Sequence, residues 1–401
     1  MLLDLKGRTW PVEPTRNPEF DLTSSHLQNF EKYHHRSFVQ EGAMVAMPLA
    51  FPGITTPIPA DECATIALAV DASRMVFGGT AGRAAHLFAA MTRGVTGIVH
   101  DLGVIPGATA CTAVMPAPDR AIYLATSGPD GGKIWRHPAV GWPYDCLQEW
   151  GFSRPGYTAV AHPFADEGIA HAVLDGEHRT IWGVSARTGT LFGCAIDGGE
   201  VTKVRKVDAV QRFSRTLVRD LQGRIWGTAC NGSLWRFNPA DGTFADLGLW
   251  IPCAAGREIH NQAESFALDP DTGTIYGSAS ADGFLFALDP ATEQVRSLGK
   301  PGASPTVRCM TVGHDGRLFG ICGDDDDIGH LFVYDPEDAT LRDLGVPISL
   351  LGLRGYGYVY RAAATGADGE LFFGQAERMS HFWVYFPPVP RRRAMVRGGD
   401  A

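Results

Sequence analysis

Short apolar runs alternate with clusters of Gly, Pro, Asn and Asp along most of this chain, on the period of strands rather than helices. The stretch Leu217 to Gly248 shows the pattern most clearly. An apolar strand ends in the turn Asp220–Gly223, and Arg224-Ile225-Trp226-Gly227 follows. A small polar turn leads to Leu234-Trp235-Arg236-Phe237. Asn238-Pro239-Ala240-Asp241-Gly242 then turns the chain again, and Thr243–Leu247 closes on Asp-Leu-Gly. Four short strands joined by tight turns predict an up-and-down antiparallel sheet.

The same sequence of signals recurs. An aliphatic–aromatic pair, usually followed by Gly, marks the second strand: Val76-Phe77-Gly78, Ile122-Tyr123, Ile181-Trp182-Gly183, Ile225-Trp226-Gly227, Ile275-Tyr276-Gly277, Leu318-Phe319-Gly320 and Leu371-Phe372. A second pair marks the third strand, from Leu87-Phe88 to Phe382-Trp383. Asp-Leu-Gly or a close relative marks the fourth, at Asp101, Asp246, Ser297 and Asp343. The period of roughly 45–60 residues is that of propeller blades. One such sheet cannot bury both faces alone, so the copies must stack around an axis. The expectation is an all-β, seven-bladed β-propeller of four-stranded antiparallel blades. Residues 1–390 form this single domain and residues 391–401 a mobile tail. After Arg361 the chain supplies only three strands. Leu2-Leu3-Asp4-Leu5-Lys6-Gly7 reads as the missing fourth, so the ring is expected to be closed by this N-terminal strand in the last blade. Residues 8–62 are then a long excursion over one face, with a short helix near Ser25–His34. Blade two is expected over Cys111–Gly151, and blade three from His171.

Composition adds little beyond this frame. A net charge of −9 argues against nucleic acid as the main partner. No apolar run is long enough to span a bilayer, and MLLDLKGRTWPVEP lacks the layout of a signal peptide. The eight cysteines form no C-x-x-C pair or metal spacing, and read as reduced core residues. The expected location is therefore cytoplasmic, with no membrane partner.

Candidate chemistry follows from position. Residues near the axis must come from first strands or from the segments leading into them. His86, His330 and His381 share one repeat position, and a repeated histidine reads as a structural hydrogen bond. The approach segments carry Arg, Tyr and His instead: Arg154 and Tyr157 before blade three, Arg215 before blade four, Arg257, His260 and Gln262 before blade five, Arg308 at blade six, and Tyr356 and Arg361 at blade seven. The excursion adds His35. An acidic chain that gathers these groups at one mouth suits an anionic ligand; funnel-lining structural roles are the alternative. Asp324–Asp327 could hold a hard cation, but lacks the spacing of a calcium loop and reads as a solvated turn.

The repeat idiom, Leu-Phe-x-Tyr/Leu-Asp-Pro followed by Asp-Leu-Gly, resembles the seven-bladed propeller polysaccharide lyases, the group of oligogalacturonate, ulvan and rhamnosyl-glucuronate lyases. The resemblance implies β-elimination beside a uronate carboxylate in the central funnel, on an acidic oligosaccharide, with a divalent metal (calcium or manganese) in some members. The His/Gln metal ligands of the last family have only a partial echo in His260 and Gln262, so no metal ligand is assigned. On this reading Arg257, Arg308 and Arg361 bind carboxylate, helped by Arg215, Arg154, His35 and Gln262. His260 is the base, and Tyr157 or Tyr356 the acid. A propeller glycoside hydrolase and a non-catalytic binding propeller are the alternatives.

Overall fold

The computed structural model describes residues 2–3, 9–10, 39, 41–49, 58–93, 96–138, 156–206, 216–258, 261–324, 327–347 and 357–388. Among these residues the regular elements are all strands. Five separate four-stranded sheets accompany one eight-stranded sheet. The latter is two four-stranded units joined by the single bridge Ala81↔Ala110, so five plus two gives seven blades. Their innermost strands are Ala64–Val70, Ala110–Pro116, Ile169–Asp175, Val218–Arg219, Ala263–Leu268, Val307–Val312 and Tyr360–Thr365. Each touches the innermost strand of the next blade, and the last touches the first, so the ring closes.

The repeated residues have physical jobs. The glycine of the second strand lies opposite the third strand's aromatic: Gly78↔Phe88, Gly183↔Phe192, Gly227↔Trp235, Gly277↔Phe286 and Gly320↔Phe332. The ring folds down over the bare backbone, where a Cβ on Gly277 would lie 2.2 Å from Phe286 Cζ. Gly277→Ala is therefore expected to cost about 1–3 kcal/mol by overpacking, read as a lowered denaturant midpoint.

In Asp-Leu-Gly the aspartate accepts the backbone N–H of the glycine two residues on, at 2.8 Å for Asp101–Gly103 and 2.7 Å for Asp343–Gly345. Those glycines hold φ of +105° and +100°, a conformation that only glycine adopts cheaply. The same carboxylates face the third strand, where His86 Nδ1 is 3.0 Å from Asp101 and His330 Nδ1 is 3.1 Å from Asp343. Ser233 takes the histidine's place in blade four, donating to Asp246. His381 faces Gln375 Oε1 at 3.1 Å. The repeated histidines are thus structural.

His86 also meets Glu62 through Nε2 at 3.0 Å, and Arg83 pairs with Glu62 from outside. Burial alone would lower the imidazole's pKa, but Asp101 and Glu62 outweigh it and raise it above 6.5. The hydrogen bond from His86 holds Glu62 below its ordinary 4.5, against the opposing effect of burial. The raised histidine stabilises the fold at pH below 6.5 and loses that contribution as pH climbs through its folded value. The lowered glutamate stabilises above 4.5 and loses its share as pH falls through its own folded value. The thermal midpoint of the native chain minus that of His86→Gln should therefore peak at about pH 5–6 and shrink on both sides.

Two expectations need correction. Leu2–Leu3 does not close the ring; it pairs with Thr9–Trp10 in a separate two-stranded sheet. The closing strand is Ala43–Pro48, antiparallel to His381–Phe386, inside the segment read as an excursion. Met44 and Ala46 join the core shared with blade six, beside Phe319 and Trp383. Val45 and Met47 join the core shared with blade one, beside Phe88 and Phe382. A strand buried on both faces has no reason to alternate. The Ser25–His34 helix, the tail 391–401, and most of the excursion lie outside the described residues.

Blade two also runs on past Gly151. Its outer strand is Thr158–Phe164, paired with Gly131–His137. Blade three begins at Ile169, so Gly156 and Tyr157 lead into an outer strand and not toward the axis.

Candidate functional site

The seven innermost strands surround an axial cavity of about 730 Å³, within the ~300–1,000 Å³ typical of small-molecule sites. Every described blade contributes to its wall. In six innermost strands the pairing with the second strand slips by one residue near the start, between Thr65/Ala67, Cys111/Ala113, Ile169/His171, Ala263/Ser265, Val307/Cys309 and Tyr360/Ala362. The skipped residue is a bulge, which frees its side chain from the alternation of the strand. Those bulged residues are Ile66, Thr112, Ala170, Glu264, Arg308 and Arg361, and all six line the cavity. Each keeps exposure while the residue before it is buried or nearly so. One tier of the wall is thus written by one residue from each of six blades.

Charge is concentrated on one side of that tier. Arg308 Nε donates to Glu264 Oε1 at 3.1 Å, and Arg361 stands on the following blade. Glu264 is 7% and Arg308 21% exposed, so the pair is shielded from bulk water while still facing the cavity. Among the described residues of the wall two guanidinium groups stand beside one carboxylate, in a chain of net charge −9. His171, next to a bulge in blade three, Thr112, Thr216 and Ser265 add to the polar lining. Elsewhere the wall is apolar, including Leu68, Val114, Met115, Leu174, Phe266 and Met310.

Of the residues expected from sequence, Arg308 and Arg361 are brought together here. Tyr157 is not. Its hydroxyl donates to Gly103 O at 2.8 Å and its ring packs on His137, 5.3 Å between centroids. It clamps the outer strand of blade one to blade two, because the chain leaving it forms blade two's outer strand. A phenol there cannot protonate a leaving group on the axis. Arg257 is exposed on the segment before blade five, where Nη1 donates to Ala281 O at 2.9 Å, and it is not part of the cavity wall. Gln262 is buried, its backbone N–H donating to Ser280 Oγ, and it too is absent from the wall. His260, Tyr356, Arg215, Arg154 and His35 lie outside the described residues. Glu264 and His171 are the site residues that sequence reasoning missed. Glu264 shares a signal with both arginines: a charged residue between small or apolar neighbours at the second position of an innermost strand.

Among the described residues no cluster of three or more His, Cys, Asp or Glu could hold a metal ion. Asp324 pairs with Asp327 across a hairpin in blade six, away from the cavity. The described cysteines are all free thiols, and burial pushes those of Cys111, Cys309 and Cys322 up to about 12.

No protein-family model and no curated protein sequence matches the chain. Solved structures do. A streptogramin B lyase superposes with a TM-score of 0.61 at 12% identity, over 85% of this chain and 97% of that one. A catalytically inactive virginiamycin B lyase from Staphylococcus aureus, with quinupristin, gives 0.59 at 9% identity, over 86% and 99%. The WD40 β-propeller domain of Doa1 gives 0.52 at 13%, over 84% and 99%. At such identities the likeness speaks to architecture, and with the strand pairing it establishes the chain as a β-propeller.

Proposed function

We propose that this chain is a propeller lyase that binds a uronate-containing oligosaccharide on the ring axis and cleaves it by β-elimination. The observation that carries the reading is the placement of Arg308 and Arg361 on adjacent blades in the wall of one cavity. Elimination next to a carboxylate requires that carboxylate to be neutralised, so that the proton on the neighbouring carbon becomes acidic. Planar, permanently charged guanidinium groups do this through paired hydrogen bonds. The base and the acid are assigned to His260 and Tyr356, on the segments leading into blades five and seven. Tyr157 is withdrawn from that role.

The donor set also favours elimination over glycoside hydrolysis. Hydrolysis of a glycosidic bond typically needs two carboxyl groups flanking the bond. Glu264 is the only carboxylate among the described residues of the wall, and it is committed to Arg308. Two of the superposing structures are lyases by name, and the fold itself accommodates both enzymes and binding domains.

The test is a screen of acidic oligosaccharides that records two signals together, new reducing ends and the ultraviolet absorbance of a conjugated double bond, with and without a chelator. Both signals rising in step supports the lyase. Reducing ends without the double bond would make the protein a hydrolase. Saturable binding with neither signal would make it a binding propeller, and a cytoplasmic location is tested by fractionation of the source cell.

A further inference from the structure

We propose that His171 is a fixed hydrogen-bond donor of the axial cavity, whose Nε2–H reads an uncharged acceptor oxygen of the ligand held at Arg308 and Arg361. The inference rests on the reading of the cavity as an anion site and adds a second recognition element across from the arginines.

The argument begins with the other ring nitrogen. The backbone N–H of Leu217, the residue before the innermost strand of blade four, donates to His171 Nδ1 at 3.2 Å. An N–H donor facing Nδ1 requires a lone pair there, which places the single proton of the neutral ring on Nε2. Protonating Nδ1 would set two N–H groups head to head, so the same contact opposes the imidazolium. Burial acts in the same direction and pushes the pKa of His171 down to about 4. As a residue His171 is half-buried, and it is one of those lining the cavity. Its nitrogen partner comes from the next blade, so ring orientation is locked by the packing of blade three on blade four.

The charged groups nearby act on other sites. Glu264, Arg308 and Arg361 belong to the wall of blades five to seven. Arg219, at the far end of the strand after Leu217, is paired with Asp175 at the far end of His171's own strand, at 3.1 Å. Among the described residues neither nitrogen of His171 faces a carboxylate in the manner of His86 or His330, whose pKa values move the opposite way. A general base needs a lone pair turned toward substrate and a proton affinity near the working pH. His171 has neither. A donor in a largely apolar cavity wall instead selects a hydroxyl, ring or bridging oxygen, because a ligand lacking that oxygen leaves the N–H unsatisfied.

The experiment has two arms, both on the full chain. Nitrogen-15 spectra of labelled histidine, assigned with His171→Phe, should show the Nε2–H tautomer of His171 unchanged from pH 8 to about 5. A Nδ1–H tautomer, or titration between pH 6 and 7, overturns the proposal. Calorimetry with trigalacturonate should show affinity weakened about 10-fold in His171→Phe but within about 3-fold of wild type in His171→Gln, whose amide can donate from near the Nε2 position. His171→Phe binding like wild type overturns the proposal even where Arg308→Ala weakens binding. Arg308→Ala binding like wild type removes the anion-site reading, and the tautomer then decides the state of His171 alone. Wild type that binds no trigalacturonate overturns both.

Discussion

Val45→Asp is expected to destabilise the protein by about 4 kcal/mol or more, a large share of the ~5–15 kcal/mol that holds a typical domain together. Val45 has no exposed surface and lies opposite Val384 in the strand that completes blade seven. A carboxylate there has no partner in the apolar cluster of Phe88, Phe372 and Phe382. It must either stay charged without water or take up a proton at a cost. The damage extends beyond one contact, because this strand is the outer member of the sheet that joins last blade to first. Circular dichroism on heating should show loss of the whole β signal at lower temperature, in one step. Removal of residues 1–10 should leave the midpoint near that of the full chain, since among the described residues Leu2–Leu3 pairs with Thr9–Trp10 and with no blade. The reverse ranking would return ring closure to the first strand.

Replacing Arg308 and Arg361 together with Ala should lower affinity for an acidic oligosaccharide by about 100-fold or more, if each charge-assisted hydrogen bond contributes ~1.5–3 kcal/mol. The two guanidinium groups come from separate blades, so one carboxylate could engage both. Loss of the first should cost more than loss of the second. Arg308→Ala also leaves Glu264 without the cation it now accepts from, and adds its repulsion to the anion. A neutral oligosaccharide of the same length provides the control, because its affinity should not depend on either arginine. Equal losses for charged and neutral ligands would move the site away from these residues.

The architecture was legible because its signals are local. The Ile-Trp-Gly pattern encodes a ring lying on bare backbone, and Asp-Leu-Gly encodes a bulge held by its own carboxylate, so each reads within a few residues. The closing strand AMVAMP was illegible for the opposite reason. It fills two inter-blade cores, which erases the alternation by which half-buried strands are recognised. Thr158–Phe164 carries neither of the repeated signals, and with only its last two residues buried it leaves little apolar pattern. With this strand in no blade, the sequence puts Tyr157 in an approach segment near the axis. Arg308 and Arg361 were found because they were counted with the approach segments. Glu264 occupies the same repeat position, but the Arg and His of the longer segment before it carry the stronger local signal. His171 marks a blade boundary in the sequence, and its hydrogen-bond role depends on Leu217, far away in sequence.

The slipped residue of each innermost strand has an evolutionary consequence. It is excused from ladder pairing, although Ala170 packs against the core between blades three and four and Thr112 Oγ1 donates to Ile169 O of the next blade. Ile66, Glu264, Arg308 and Arg361, which belong to no core cluster, can therefore vary with less regard to the scaffold that presents them. A descendant could exchange its cargo, from acid to base or from polar to oily, by rewriting a handful of codons at one height on the axis. Such rewriting would leave the melting temperature almost untouched.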